Sequence, residues 1–387
     1  MDPNQVIPFD PEVSYDALAV GVQAGIPQLM WGGPGIGKTA YVRALALAAF
    51  NADKGFVDER ISTWSAWDAR LPFPGENDFY QFQFAPYAER LTSNWDEATQ
   101  TGSLLFFDEF SCAAPSIQKF ALGVIQERDL GGLALPDGLP IIAAANPTDT
   151  ATGTFELSAP AANRFLHLQW GVDLDRWCRG LSLGGSWGVP EVPVLPEEWR
   201  SGFEEWGNRV ASFIQCHPTL AYNQPKDEGS RGYAWASPRS WHHVAKVLAA
   251  ADSVNLVRDL RRVLVSGLVG NAAAIEFITF LEYQDEWDPK AFVEAPEFRF
   301  DIPDRADKRY AAVDALMSYC ARQKNRQAFR RAAELTTYLI DNGYRDMAAT
   351  HVGTLRRATP NGVKFSVECK DIVRALGPAF KEAGFLS

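Results

Sequence analysis

Residues 32–39, GGPGIGKT, constrain the fold more strongly than any other stretch of this sequence. They fit the spacing of one glycine, four variable residues and then Gly-Lys-Thr, a pattern typical of a loop that holds phosphate groups. Glycines within the loop allow positive φ angles, so backbone N–H groups can approach phosphate oxygens. We therefore expect nucleotide contacts from Gly33, Pro34, Gly35, Ile36, Gly37, Lys38, Thr39 and Ala40.

The segments on both sides agree with such a loop. PQLMW, just before it, is short and apolar like a buried parallel strand, and KTAYVRALALAAF, from Lys38 onward, is rich in alanine and leucine like a helix. That helix would direct its N-terminus at the phosphates. Lys38 is expected to reach the outer phosphates, and the Thr39 hydroxyl to bind Mg²⁺. The alternative is a glycine-rich turn that matches the pattern by chance.

Two adjacent acids end the next apolar run. Residues 104–107, LLFF, read as a strand buried on both faces, and Asp108 and Glu109 follow it. Two carboxylates at the end of a buried strand are costly unless they meet a cation or a proton. Beside a phosphate-binding loop, Asp108 is expected to hold Mg²⁺ and Glu109 to polarise the attacking water. The alternative is a solvated strand end, which is common in α/β proteins.

The order of loop, acidic strand end and then IIAAANP at 141–147 resembles that of the AAA+ ATPases. Within them the sequence is similar to the MoxR group, which is related to magnesium-chelatase motors and dynein-related AAA proteins. WDARLPFP at 67–74 resembles the loop that this group inserts into its second helix. Residues 127–147 resemble its hairpin before the sensor strand, and WASPRSWHHVAKVLAA at 235–250 resembles its sensor 2 helix. The resemblance covers residues 5 to about 250 well.

The resemblance implies roles for three further residues. Asn146 matches the asparagine that orients the lytic water, although an Asn-Pro turn closing a strand would give the same pattern. Arg164, in AANRFLHL, matches the arginine that reaches the γ-phosphate of ATP in the neighbouring subunit. Its alternative is a surface ion pair. Arg239 matches the sensor arginine, and whether it acts on its own or the neighbouring nucleotide stays open; its alternative is a solvated first-turn charge.

The same resemblance implies the activity and its partners. It implies hydrolysis of ATP with Mg²⁺ between the subunits of a ring, usually a hexamer, that remodels a protein or protein complex like a chaperone. A partner with a von Willebrand A domain is often found with this group. Residues 68–86 and the hairpin at 129–136 are the expected substrate contacts. The alternatives are a nucleic-acid-associated motor with similar core elements and a nucleotide-gated binding module with little turnover.

The apolar runs predict an α/β fold with a three-layer αβα core, a five-stranded parallel sheet and a helical second half. The resemblance implies that this helical part is an all-α lid followed by a C-terminal helical extension. The expected domains are a core at 1–170, a Gly- and Pro-rich linker at 171–203, a lid at 204–290 and an extension at 291–387. The predicted strands are 28–31, 56–63, 104–107, 141–145 and 165–169. The predicted helices of the second half are 206–216, 240–251, 254–267, 272–282, 309–323 and 326–341.

Composition narrows the setting. A net charge of −11 argues against a broad nucleic-acid-binding surface, and no membrane partner is expected because no window is continuously apolar. Five scattered cysteines, without a CxxC pair, favour a reducing cytoplasm over a disulfide framework or zinc site. The start of the sequence lacks the pattern of a signal peptide. The many tryptophans of the second half favour packing over base stacking.

Overall fold

The structure of the protein is a computed structural model. It describes residues 7–65, 71–74, 80–83, 86–130, 133–147, 153–185, 187–188, 190–255 and 258–378. Contacts group the chain into two compact units, the first comprising Met1–Gly202 with Tyr222–Ala274 and the second Phe203–Ala221 with Ile275–Ser387.

The first unit is built on a parallel sheet. The described strands are β1 (Gln28–Trp31), β2 (Gly55–Arg60), β3 (Leu71–Pro74), β4 (Tyr80–Gln83), β5 (Ser103–Asp108), β6 (Ile141–Ala145) and β7 (Leu166–Gln169). Five of them form one sheet in the order β2-β5-β6-β1-β7, with every pair parallel. The predicted five-stranded parallel sheet is therefore confirmed, and its continuous apolar strands are buried on both faces.

The ends of three strands differ from the prediction. The predicted strand 56–63 stops at Arg60, because Ile61–Thr63 turns into a 3-10 helix. The strand predicted at 104–107 extends over Ser103–Asp108, and the last one begins at Leu166 instead of residue 165. The first shift matters most, since it places Ser62 in the turn that follows β2.

Helices cover both faces of the sheet and form the second unit. The described α-helices are α1 (Pro11–Gln23), α2 (Lys38–Phe50), α3 (Pro86–Ser93), α4 (Pro115–Glu127), α5 (Ala159–Ala162), α6 (Leu174–Ser182), α7 (Phe203–Cys216), α8 (Glu228–Arg231), α9 (Pro238–Ser253), α10 (Arg258–Val269), α11 (Asn271–Asp285), α12 (Pro289–Glu294), α13 (Ala306–Gln323), α14 (Arg326–Asp341), α15 (Arg345–Thr350), α16 (Val352–Arg357), α17 (Phe365–Glu368) and α18 (Lys370–Ala375).

Alternate residues of each strand point to opposite layers, as the pleat requires. On one face Leu105, Phe107 and Ala143 join a single buried cluster with Ala88 and Leu91 of α3 and Ile117, Ala121 and Val124 of α4. On the other face α1 packs against β1 and β7, while α2 packs against β2 and β5. The core of the first unit is therefore the predicted three-layer αβα arrangement.

The residues predicted as a linker, 171–203, contain helix α6 and a 3-10 helix at Glu197–Gly202. Helix α9 packs on that 3-10 helix and on α10 within the first unit. Residues 222–274 group with the sheet, whereas residues 203–221 and those from 275 onward group together. The predicted domain boundaries remain predictions.

The second unit is helical, in agreement with the predicted class. Helix α14 has the predicted bounds. The ends of the other predicted helices, including α9 and α10 of the first unit, shift by a few residues to the bounds given above for α7, α9, α10, α11 and α13. The buried cluster of the second unit joins α13 and α14 to the C-terminal helices through residues such as Leu316, Met317, Leu335 and Leu355. Asp314 and His351 are buried in this unit with exposures of 0% and 1%.

Most tryptophans from Trp170 onward are packed, as the sequence predicted. Trp170, Trp199, Trp206, Trp235 and Trp241 are buried, while Trp177 and Trp187 are 49% and 44% exposed. The five cysteines are free. Among the described helices, none combines the length and apolar character that a membrane crossing would need.

Candidate functional site

The phosphate-binding loop follows β1 directly and leads into α2. Gly35 and Gly37 have φ angles of 76° and 88°, in the left-handed region that favours glycine. Gly33, which precedes them in the loop, does not have a positive φ. Pro34, Gly35 and Gly37 are exposed, and Gly37 is the N-cap of α2. The N–H groups at the start of α2 are thus accessible to an anion.

Lys38 lies beneath this loop, with 7% of its side chain exposed. Its Nζ donates hydrogen bonds to the carbonyl oxygens of Gly32 at 2.7 Å and Gly33 at 2.9 Å, and to Asn146 Oδ1 at 3.0 Å. Burial lowers the pKa of Lys38, against the opposing effect of the nearby Asp108, Cys112 and Glu109. The lysine therefore joins the loop to the strand ends that carry the acids.

Thr39 and Asp108 meet at the next position. Thr39 Oγ1 donates to Asp108 Oδ2 at 2.9 Å. The contact follows from the topology, because β5 and the loop after β1 end at the same edge of a parallel sheet. Hydroxyl and carboxylate oxygens are ligands that Mg²⁺ accepts, with phosphate oxygens and water completing an octahedron. In the described part of the chain, no group of three or more His, Cys, Asp and Glu is arranged to hold a metal. The donor set fits a magnesium ion shared with a nucleotide.

Glu109 adopts an unusual backbone conformation beside Asp108. Its φ is 56°, in a region that costs a non-glycine residue roughly 1–2 kcal/mol. Its N–H donates to Asp108 Oδ1 at 2.8 Å, which helps to fix the two acids relative to each other. The Glu109 carboxylate accepts a hydrogen bond from the Ser62 hydroxyl and lies 3.6 Å from Arg60 Nε. In this arrangement the proposed water-polarising group is engaged by side chains at and after the end of β2.

Asn146 follows β6 and is 9% exposed. Its backbone is fixed by Ser111, whose hydroxyl donates to the Asn146 carbonyl at 2.9 Å and accepts from the Asn146 N–H at 3.0 Å. Its side-chain oxygen is thereby presented to Lys38. The structure thus brings together five predicted site residues, namely Lys38, Thr39, Asp108, Glu109 and Asn146.

The two predicted arginines lie on other elements: Arg164 precedes β7, at the sheet edge opposite to the phosphate-binding loop, and Arg239 lies in α9. Arg164 Nε donates to Gln126 Oε1 at 2.5 Å, and its Nη1 donates to the Pro160 carbonyl. Burial lowers the pKa of Arg164, and the nearby charge of Arg239 lowers it further. Arg239 is exposed in the first turn of α9. Hydrogen bonds from Asn163 to the Trp235 carbonyl and from Ser237 to Asn163 join the two segments that carry Arg164 and Arg239.

An aromatic group beside the loop helix was not singled out from the sequence. Tyr15 of α1 stacks on Tyr41 of α2 with ring centroids 4.4 Å apart, and Trp170 packs against both. Arg176 lies over the Tyr41 ring, 5.5 Å from its centroid. Burial raises the pKa of both tyrosines. These side chains fix α1 and the segment after β7 against the helix that follows the loop.

Sequence reasoning also missed Ser62, Arg60 and Ser111, because their importance depends on contacts across the sheet edge.

The two predicted substrate loops are described in part. Within 68–86, β3 and β4 form an antiparallel hairpin between β2 and α3, and the rest lies outside the described residues apart from Pro86. Within 129–136, Asp129 pairs with Ala134 in an antiparallel bridge, while residues 131–132 lie outside the described residues.

Comparisons with known proteins give similarities to solved structures only. No protein-family model matches the chain, and no curated protein matches it. A protein named as a candidate ATPase, from Cytophaga hutchinsonii ATCC 33406, is 16% identical with a TM-score of 0.40, covering 67% of this chain and 83% of its own. NtrX from Brucella abortus is 15% identical with a TM-score of 0.29, covering 96% and 69%, and its complex with ATP is 14% identical with a TM-score of 0.26, covering 97% and 69%.

Proposed function

We propose that this chain is an AAA+ ATPase of the MoxR-like type, which hydrolyses ATP with Mg²⁺ between the subunits of a ring, expected to be a hexamer. The observation that carries the proposal is the pair of contacts Lys38 Nζ–Asn146 Oδ1 and Thr39 Oγ1–Asp108 Oδ2, at 3.0 and 2.9 Å. These contacts place the phosphate-binding loop against two neighbouring strand ends, which is the arrangement that phosphoryl transfer to water requires.

Each residue of this group has a distinct task. The loop N–H groups and Lys38 hold the phosphates, and Lys38 would exchange its carbonyl partners for phosphate oxygens when a nucleotide binds. Thr39 and Asp108 would hold Mg²⁺, which neutralises charge on the phosphate oxygens when bound. Glu109 accepts a proton from the attacking water, and Asn146 orients that water.

The placement of Arg164 and Arg239 supports action between subunits. Arg164 is engaged by Gln126 and Pro160 and its segment is joined to that of Arg239 by hydrogen bonds, whereas the loop is engaged by Asn146 and Asp108. A guanidinium matches phosphate oxygens well and keeps its charge. Supplied from a neighbouring subunit, such a group accelerates nucleotide hydrolysis by about 10³–10⁵-fold. Head-to-tail repetition of such an interface closes into a ring.

Remodelling of a protein or protein complex is the work we propose for the ring. Its expected contacts are the segments 68–86 and 129–136, and a von Willebrand A domain partner remains a prediction from the resemblance. The acidic net charge of −11 favours this function over nucleic-acid translocation. Stimulation of ATP hydrolysis by single- or double-stranded DNA would instead favour the nucleic-acid motor over protein remodelling.

Steady-state ATP hydrolysis by the purified protein tests the proposed activity. Lys38→Ala should abolish nucleotide binding, because it removes the buried ammonium group beneath the phosphate-binding loop. Glu109→Gln should bind ATP and hydrolyse it at least about 100-fold more slowly. Hydrolysis at the wild-type rate by Glu109→Gln would overturn the assignment of the base, and a wild-type protein without turnover would overturn the ATPase itself.

A further inference from the structure

A buried hydrogen-bond chain joins the segment of Arg164 to the segment of Arg239. Ser237 Oγ donates to Asn163 Oδ1 at 2.7 Å, and Asn163 Nδ2 donates to the Trp235 carbonyl at 2.9 Å. Asn163 and Ser237 are only 5% and 4% exposed. Asn163 immediately precedes Arg164, and Ser237 is the N-cap of α9, two positions before Arg239. Both side-chain functions of Asn163 thus bind the segment that presents Arg239.

A second hydrogen bond fixes the N-terminal end of α5, the short helix whose C-cap is Asn163. Trp235 Nε1 donates to the carbonyl of Ala159, the first residue of α5, at 3.0 Å. Asn163 is the C-cap of α5. The helix that leads to Arg164 is therefore attached at both ends to residues 235–237, and its orientation is determined by them.

The arrangement is maintained against electrostatic repulsion. Burial and the charge of Arg239 lower the pKa of Arg164, and Glu127 raises it, so the Arg164 guanidinium is partly desolvated and repelled by Arg239. Arg239 also lies in the first turn of α9, where a cation is disfavoured by the helix dipole. Both costs would be relieved by an anion placed beside the pair. A polyphosphate is such an anion, and pairs of its oxygens can accept two parallel hydrogen bonds from each guanidinium fork.

We infer that Asn163 is a positioning residue that holds Arg164 and Arg239 as one pair for the phosphates of a nucleotide bound by another copy of the chain. This inference rests on the proposed function, because it takes both arginines to act across the ring interface. Asn163 itself contacts neither substrate nor reacting atoms. It acts by joining α5 to the N-cap of α9.

Mixed rings distinguish positioning from a general loss of structure. Asn163→Ala should lower kcat by about 10- to 100-fold, the cost of a misplacement near 1 Å, and leave the KM for ATP within about twofold of wild type. Mixing Asn163→Ala with Lys38→Ala should restore part of the activity, because some interfaces then pair an intact loop with an intact Asn163. Mixing Asn163→Ala with Arg164→Ala should restore none, because both variants damage the same side of the interface.

Ser237 supplies the matched pair of variants. Ser237→Thr keeps the hydroxyl that donates to Asn163 Oδ1 and should retain wild-type kcat, whereas Ser237→Ala should reproduce the Asn163→Ala result in each mixture. This pair decides the matter if Asn163→Ala does not fold.

Three outcomes are decisive. Wild-type kcat in folded Asn163→Ala and Ser237→Ala rings would overturn the inference. The inference would also be overturned if mixing with Lys38→Ala restored activity to Arg164→Ala but not to Asn163→Ala. If Lys38→Ala fails to relieve Arg164→Ala in rings shown to contain both subunits, the proposed action between subunits fails first, and the inference falls with it.

Discussion

Ser62 donates a hydrogen bond from its hydroxyl to Oε2 of Glu109, so the carboxylate proposed to polarise water is engaged by the turn that follows β2. Arg60 lies on the other oxygen of the same carboxylate, 3.6 Å away. Ser62 and Arg60 thus contact both oxygens of the carboxylate and compete with a water molecule for them. The two contacts therefore restrain the carboxylate that we propose as the catalytic base.

Removing this restraint should raise basal ATP hydrolysis. A hydrogen bond to a charged group contributes about 1.5–3 kcal/mol, so Ser62→Ala should increase the steady-state rate by about 10-fold, and at most by about 100-fold. Ser62→Thr retains the hydroxyl and should stay near the wild-type rate. Adding Glu109→Gln to Ser62→Ala should eliminate the gain. An unchanged or lower rate in fully assembled Ser62→Ala rings would contradict the restraining role.

Two glycines of the loop allow a controlled test of backbone strain. A Cβ at either Gly33 or Gly37 would meet no atom within 4 Å, but only Gly37 has a positive φ, of 88°. Gly37→Ala should lower the free energy of unfolding of the nucleotide-free protein by about 1 kcal/mol, while Gly33→Ala should leave it nearly unchanged. Urea unfolding of both variants measures the difference. Equal destabilisation would show that φ is not the cause.

The sequence predicted the sheet and part of the candidate site, but not the contacts that depend on the folded chain. Loop spacing and continuous apolar runs predicted the sheet, the loop and the acids at the end of β5, because such patterns follow from local covalent and burial constraints. Ser62 was expected inside a strand, and its contact with Glu109 depends on where β2 ends. Asn163 carries no recognisable signal, since its partners lie more than 70 positions along the chain.

Asp314 and His351 in the second unit should contribute with opposite signs to the pH dependence of the free energy of unfolding. Burial raises the pKa of Asp314 to about 6, against the lowering effect of Arg209 and the Gln284 hydrogen bond. Asp314 therefore stabilises the fold fully below its unfolded pKa of 3.8, and this contribution, about 3 kcal/mol, is lost as pH rises through about 6. Burial lowers the pKa of His351, 4.0 Å from Asp314, to about 4, so its contribution is full above 6.5 and is lost as pH falls toward 4.

Single variants separate these two contributions. Between pH 6.5 and pH 4.5, Asp314→Asn should lose more unfolding free energy than wild type, because only the histidine effect remains. His351→Gln should lose less than wild type over the same interval. Urea midpoints at the two pH values, compared with those of wild type, measure both changes. Parallel pH profiles for the two variants would contradict the opposite signs.

The hydrogen bonds that join the segment of Arg164 to the segment of Arg239 predict on which side of the proposed interface Arg239 acts. Arg239→Ala should lose ATP hydrolysis, recover part of it when mixed with Lys38→Ala, and recover none when mixed with Arg164→Ala. The reverse pattern, recovery with Arg164→Ala alone, would show that Arg239 serves the nucleotide of its own subunit. ATPase rates of mixed rings, corrected for each parent variant, provide the measurement.

The most direct test of the central claim is the ATPase rate of rings assembled from equal amounts of Arg164→Ala and Lys38→Ala subunits. Each variant alone should be inactive, one for want of the arginine and the other for want of the loop lysine. In random mixtures about one quarter of head-to-tail interfaces pair an intact loop with an intact arginine, so a clearly measurable part of the wild-type rate should return. No rate above the sum of the two parents, in rings shown by mass to contain both subunits, would contradict catalysis between subunits.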